Sequence, residues 1–315
     1  MREKALYQMR DKAIWFVFVA LFIGFAIANP RFIATANLIN IVRQVSMFGI
    51  AAIGMTFVIL IAGIDLSTGS VIMLVNTVCA HLMVISGMNM YAAVAISLIV
   101  ATLIGLFNGA MVAFIGIPAI IATFASQTIF EGVSYRINGG TPIFGFEEGF
   151  RVLGQGYIWV IPIPVLVMAA CFLAGSFILN KTYFGRYFYA VGGNEEASRL
   201  SGIRVRRVKC LVYALAGFFS GLAGIVLLSR TNSAQPGAGS GFEFDVITCV
   251  VLGGVSVSGG HGKLSNVLAG VLIIGILSNG MILMGVSAFD QMIVKGIILI
   301  LAVGFDCIQQ MRQTN

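Results

Sequence analysis

The sequence predicts an all-α, polytopic transmembrane bundle of about ten helices, and three observations predict it. Residues 14 to 308 form a near-continuous series of apolar segments, each about as long as a bilayer is thick. The 315-residue chain is 59% hydrophobic and only 10% charged, with a mean hydropathy of +1.00. A soluble domain carries roughly 25% charge, and so few charges could not cover a core of this size in water. The 38 glycines suit helices that pack closely in lipid.

Taken in order, the apolar spans are 14–29, 45–63, 68–86, 91–115, 118–136, 158–179, 209–229, 244–256, 264–284 and 289–308. The first follows Arg2, Lys4, Arg10 and Lys12 and ends Ala26-Ile27-Ala28, the outline of a signal peptide. A retained first helix is the favoured reading, because every later segment also spans. The eighth is too short for a plain crossing and ends in glycines, which points to a broken or partly re-entrant helix. The two long outer loops are turn-rich and suited to folding back over the outer mouth: NGGTPIFGF with Glu147-Glu148 lies within 138–156, and RTNSAQPGAGSGFEF covers 230–244.

Ten crossings place both ends on one side. Assigning that side to the cytoplasm gives it Arg2, Lys4, Arg10, Lys12, Lys181, Arg186, Arg199, Arg204, Arg206, Arg207, Lys209, Lys263 and Arg312. The outer side keeps Arg31, Arg43, Arg136, Arg151 and Arg230. Thirteen against five predicts N-in, C-in by the positive-inside rule. The basic excess is thereby explained by topology, and a nucleic-acid partner is not expected. The whole chain, 1–315, is one transmembrane domain with a cytoplasmic N-terminus, 1–13, and a cytoplasmic loop, 180–208. A five-plus-five inverted repeat finds little support, since the similar strings AGIDLSTGS and GGVSVSGG would both face the cytoplasm.

Enzymatic chemistry is not encoded. A phosphate-binding loop needs G-x-x-x-x-G-K-[ST]. At Gly262-Lys263 the first glycine would have to be Val257, and the hydroxyl would have to be Leu264. Cys79, Cys171, Cys210, Cys249 and Cys307 lack metal-ligand spacing, and His81 and His261 lie far apart. No metal site is expected.

The large soluble segment carries GRYFYAVGGNEEASRLSGIRVRRVK. Asn194 is a good N-cap, Glu195 and Glu196 fall where the helix dipole favours negative charge, and Gly202 supplies a stop. Ala197, Leu200 and Ser201 share one face. The expected element is a short capped helix with a small-residue face, suited to a groove on a soluble partner; a loop that merely sets topology is the other reading.

This string, together with MTFVILIAGIDLSTGSV, GIPAIIATFASQTIFEG followed by NGGTPI, GLAGIVLLSR, FDVITCVVLGGVSVSGGHGKLSNVLAG, and LSNGMILMGV with VKGIILILAVGFD, resembles the ribose-type ABC permeases in order along nearly the whole chain. The resemblance implies a permease subunit in a bacterial cytoplasmic membrane that imports a monosaccharide, ribose-like first. It implies a periplasmic or lipid-anchored sugar-binding protein, a second permease copy or homologue, and a cytoplasmic ABC ATPase that holds the ATP and magnesium, with no cofactor in this chain. It also implies that Gly193, Asn194, Glu195, Glu196, Ala197, Ser198, Arg199, Leu200, Ser201 and Gly202 dock into that ATPase. One departure is Glu131, where the family often carries arginine before the glycine. Autoinducer-2, galactofuranose and nucleosides remain open as cargo. A stand-alone secondary transporter or channel remains as the reading from another class.

Ionisable and amide side chains inside spans are costly and default to functional candidates. Asp65 is a gating candidate or a helix cap. Lys295 lies just inside the last span and either snorkels outward or pairs with Glu131. Asn76, Asn108, Gln127 and Asn279 are candidates for a sugar path, and serve equally well as hydrogen-bond glue between helices. Gly105-xxx-Gly109 and Gly217-xxx-Gly221 are expected to pack helices within the subunit.

Overall fold

The computed structural model describes residues 2–314, and the side chains of residues 14–308 and 311. It is an all-α bundle in which each of the ten apolar segments contains a helix. These are α1 (Arg2–Ala28), α2 (Thr35–Leu60), α3 (Thr68–Ala80, continued by a π turn to Ile85), α4 (Met90–Ala110, likewise continued to Ile115) and α5 (Ala119–Asn138). A short α6 (Glu148–Gln155) and a two-stranded hairpin, β1 (Tyr157–Ile158) and β2 (Ile161–Pro162), precede α7 (Ile163–Lys181). Then come α8 (Tyr183–Gly193), α9 (Glu195–Leu200), α10 (Val205–Thr231), α11 (Phe242–Leu252), α12 (Leu264–Leu283) and α13 (Ala288–Thr314).

Seven helices among the described residues are long and apolar enough to cross a bilayer. The exceptions have physical reasons. α5 has the length, but Ser126, Gln127, Glu131, Ser134 and Arg136 make it less apolar. α11 has only 11 residues. The described apolar part of α1, Ile14–Ala28, is shorter than a full span.

α10 is the central helix and packs on α4, α2 and α3. Backbone meets backbone here because the contact positions have no side chains. A methyl group on Gly105 would overlap the carbonyl of Tyr213, and one on Gly217 would strike Ala101 and lie 3.0 Å from the Cα of Gly105. The two GxxxG strings therefore face each other inside one subunit, as expected. Without a hydrophobic drive between helices in lipid, this close packing is what holds the centre together.

Two sequence expectations are corrected. α2 begins ten residues earlier than its apolar run. In the added turns Asn37 exchanges amide hydrogen bonds with Asn279 at 2.9 Å, and Arg43 lies over the Tyr157 ring. Residues 230–244 are not a simple outer loop. Gly239 packs on Gly69 and Ile72 of α3. Ile72 in turn touches Gly224, two turns before the end of α10, about 10 Å deeper than that end. The chain thus dips into the bundle, and α11 starts partway down it. Linked turns (Ala238 N–H to Gln235 O, Ser240 to Gly237, Phe242 to Gly239) satisfy this irregular backbone. Gly237, Gly239 and Gly241 supply the positive φ angles that these turns need.

The loops sort to two ends. One end gathers Asn29 with Leu283 and Ile143 with Ala234. The other gathers Leu60, α8, α9 and residues 253–263.

Replacing Gly105 by valine is expected to cost about 1–3 kcal/mol by overpacking the α4–α10 contact. Gly132, with open space around it, accepts alanine without loss. Thermal unfolding of the two purified variants in detergent checks this; equal midpoints would contradict the close-packed centre.

Candidate functional site

The site has two linked parts, a capped helix at the soluble surface and a polar set deeper in the bundle. Asn194 caps α9, its side chain accepting from the amide of Ala197 at 2.8 Å, and Gly202 leaves the helix with φ +85°. Lys209 Nζ donates to both oxygens of Glu195, at 2.8 and 2.7 Å, and Arg199 pairs with Glu196 at 2.6 Å. Ala197, Leu200 and Ser201 are exposed, and Leu200 is 80% so. Ser198, between them, is buried and faces its own chain. The preceding stretch is also more ordered than a basic loop, since α8 leads directly into α9.

The last turn of α8 ties this surface to the bundle. A methyl group on Gly192 would overlap the carbonyl of Leu60 and lie 2.6 Å from the amide of Gly260. That amide donates to the Leu60 carbonyl at 2.9 Å, and Tyr189 Oη donates to Gly262 O at 2.9 Å. Gly192 is therefore wedged where the α2–α3 and α11–α12 junctions meet. The strings AGIDLSTGS and GGVSVSGG touch here, Gly259 lying against Ala62.

From this junction a chain of polar contacts runs inward. Asp65 Oδ1 accepts from the Ser67 amide at 2.9 Å and from its hydroxyl at 2.6 Å. Ser67, not Asp65, occupies the cap position of α3. Asn108 Nδ2 donates to Ser67 Oγ at 2.8 Å, and Leu66 N–H donates to Thr123 Oγ1 at 3.1 Å. The break between α2 and α3 is thus tied to α4 and α5, and two residues singled out from sequence, Asp65 and Asn108, meet through Ser67.

The remaining candidates divide. Asn76 donates to Ile72 O and Gly224 O, binding α3 to α10, and Asn279 binds α12 to α2 through Asn37. Gln127, Glu131 and Lys295 are only half-buried. Gln127 Nε2 donates to Glu243 Oε1 at 3.0 Å, and Glu131 is near enough to act on Glu243 electrostatically. Lys295 does not pair with Glu131. Its Nζ lies 2.7 Å from Asp245 Oδ2, because α13 packs against α11. Glu243 and Asp245, in the first turn of α11, are the residues that sequence reasoning missed. Their positions favour negative charge by the helix dipole.

Comparison with known proteins follows this geometry. The family model described as the branched-chain amino acid transport system / permease component matches residues 37–303. The chain is 45% identical over 283 residues to the ribose import permease protein of Bacillus subtilis, covering 89% of this chain and 88% of the relative. It is 44% identical over 295 residues to the ribose import permease protein of Escherichia coli K12, covering 91% and 92%. Against the L-arabinose transport system permease protein of E. coli K12 it is 40% identical over 294 residues, covering 93% and 89%. No solved structure matches significantly.

Lys295→Met and Asp245→Asn should each destabilise the protein by about 3 kcal/mol, because each strands a charge among helices. The double substitution should recover more than half of that loss. A double-mutant cycle on unfolding in detergent measures it; additive single effects would show that the pair contributes nothing.

Proposed function

The chain belongs to the branched-chain amino acid transport system / permease component family, and we propose that it is the membrane-spanning permease of an ATP-driven bacterial importer that translocates ribose. The observation that carries this is the similarity to ribose import permeases over about nine-tenths of both chains. Sugar arrives from a periplasmic binding protein, and a cytoplasmic ABC ATPase, holding ATP and magnesium, does the hydrolysis. The chain lies in the inner membrane with ten crossings, N-in and C-in. The gathering of Lys181, Arg186, Arg199, Arg204, Arg206, Arg207, Lys209 and Lys263 toward one end supports that orientation.

α9 is the docking helix, presenting Ala197, Leu200 and Ser201 to the ATPase. Two copies form the pore along α5. In support, α5 has the length but not the apolar composition of the spanning helices, and its exposed residues include Thr128, Tyr135 and Arg136 beside half-buried Gln127 and Glu131. A face of that kind is poorly suited to lipid and well suited to sugar hydroxyls. Gln127, Glu131 and Lys295 are then the path residues, while Asn76, Asn108 and Asn279 are cross-ties between helices. When the ATPase pair closes, α9 moves. Gly192 passes the displacement by backbone contact to the α2–α3 and α11–α12 junctions, and these reset Asp65 and the short helix α11.

Two substitutions separate docking from transmission. Reversing both charges, Glu195→Lys with Glu196→Lys, should release the ATPase in a mild-detergent pull-down. Gly192→Ala should keep the ATPase bound, yet lower ATP-driven ribose uptake in proteoliposomes about tenfold, the effect of a contact penalty of about 1.4 kcal/mol. Undiminished co-purification in the charge-reversed protein would place docking elsewhere. Uptake of arabinose in preference to ribose would overturn the choice of cargo.

A further inference from the structure

The hairpin of β1 and β2 turns its apolar side chains outward. Trp159 is 96% and Val160 82% exposed, and Tyr157, Ile158 and Ile161 are exposed with them. It stands at the end of the bundle opposite α8 and α9, since α7 runs from the hairpin to α8. Its base is pinned to two helices. The Arg43 guanidinium of α2 lies over the Tyr157 ring and donates to Gln155 O. Gln155 Nε2 donates to Arg230 O of α10 at 3.0 Å, and the Ile163 amide closes the base on Gly156 O at 3.0 Å. Its tip is strained. Trp159 has φ +58°, in the left-handed region that a two-residue hairpin turn ordinarily fills with glycine or asparagine. Holding a bulky aromatic residue there costs free energy. Almost wholly exposed, Trp159 recovers little of it from its own chain, so the compensating contact lies outside the protein.

We propose that this hairpin is an interfacial anchor, with Trp159 and Val160 set into the headgroup layer of the outer leaflet beside α7. Four features select a bilayer over a protein partner. The first is reach. β2 runs directly into α7, a helix long and apolar enough to cross, so three residues, about 10 Å of extended chain, separate Val160 from its first residue. The interfacial layer on each side of the hydrocarbon core is about 5–8 Å thick, which leaves the tip within or beside it. The second is charge: no charged residue occurs between Arg151 and Lys181. A docking surface for a soluble protein keeps a polar rim around its apolar centre. The third is residue type, since tryptophan and tyrosine are the side chains enriched where membrane meets water. The fourth is position. On the proposed importer reading a second copy meets α5, which packs on α3, whereas the hairpin leads into α7, which packs on α2. Through Arg43 and Gln155 the anchor holds the ends of α2 and α10 at the bilayer surface, so a displacement entering at α9 acts against a fixed far end.

The chain has two tryptophans, Trp15 and Trp159, so the full-length Trp15→Phe protein reports on the hairpin alone. It is reconstituted in phosphatidylcholine bilayers that carry a nitroxide on the headgroup, at acyl carbon 5 or at acyl carbon 12. The two shallow labels should quench Trp159 at least about twofold more than the carbon-12 label, which lies on the order of 10 Å deeper. Acrylamide in the water should quench it less than it quenches free N-acetyltryptophanamide. Ile158→Asp with Val160→Asp should lift the tip into water, abolishing the lipid quenching and restoring full access to acrylamide; if that protein fails to fold, the depth profile of the Trp15→Phe protein decides alone. Full acrylamide access without lipid quenching overturns the proposal, as does quenching strongest from carbon 12. Protection from lipid and acrylamide alike, the result if a second copy covers the hairpin, overturns it too. So does acrylamide access that disappears only when a periplasmic sugar-binding protein is added. Ribose uptake by the same proteoliposomes is read separately, so failure of the anchor leaves the importer reading standing.

Discussion

A backbone that leaves its helix inside a bilayer must find hydrogen-bond partners in protein, because lipid offers none. Much of this molecule follows from that constraint. The chain leaves helical geometry at 61–67, at 232–241 and at 253–263, and each departure is met locally or by another break. Leu60 O accepts from Gly260, the Leu66 amide finds Thr123, the Ser67 amide finds Asp65, and the Val257 amide finds Asp306. The breaks at 61–67 and 253–263 meet because each helps to satisfy the other. The surface helix α9 is attached where they meet, through Gly192, at the place where the bundle is least regular.

Close approach between helices depends on the same economy of side chains. α10 presents Gly217, Gly221 and Gly224 to its neighbours, so α4 and α3 pack on it at backbone distance. Asn76 then reaches the carbonyl of Gly224 on the facing helix at 3.0 Å. In water such a contact would be one of many. In lipid, where apolar side chains gain nothing by leaving the bilayer for one another, dense contact plus a few amide bonds must hold the helices. The same logic explains why the four buried or half-buried amides singled out from sequence, Asn76, Asn108, Gln127 and Asn279, each bond to another helical element.

The helices were legible because apolar length is a strong signal, and α9 was legible because Asn194, Glu195, Glu196 and Gly202 each have one physical reason to stand where they do. What escaped were features defined by distant partners. Asn37 and Arg43 lie before the apolar run that begins at 45, and only Asn279 and Tyr157 opposite them account for their place in α2. Glu243 and Asp245 follow AQPGAGSG, which reads as loop by composition; only burial against Gly69 and contact with Gln127 and Lys295 place them inside. Lys295 was recognised as costly, but its partner could not be chosen, because nothing local to α13 says that α11 lies beside it.

These deeper carboxylates bear on how the protein is driven. A carrier run by an ion gradient needs a carboxylate that alternately binds and releases its ion. Asp245 already has an ammonium at 2.7 Å, Asp65 is closed over by Ser67, and Glu243 is buried with Gln127 on one oxygen. Work can instead enter mechanically. The contact from α8 to the two junctions is backbone against backbone, without a flexible side chain to absorb a displacement of α9. Asp65 and α11 lie directly beyond those junctions, so a movement imposed at the soluble surface reaches the polar interior through its stiffest route. On the proposed importer reading, the glycines at 192, 259 and 260 are therefore the transmission, and the half-buried pair of Asp245 and Lys295 ties α11 to α13 as it moves.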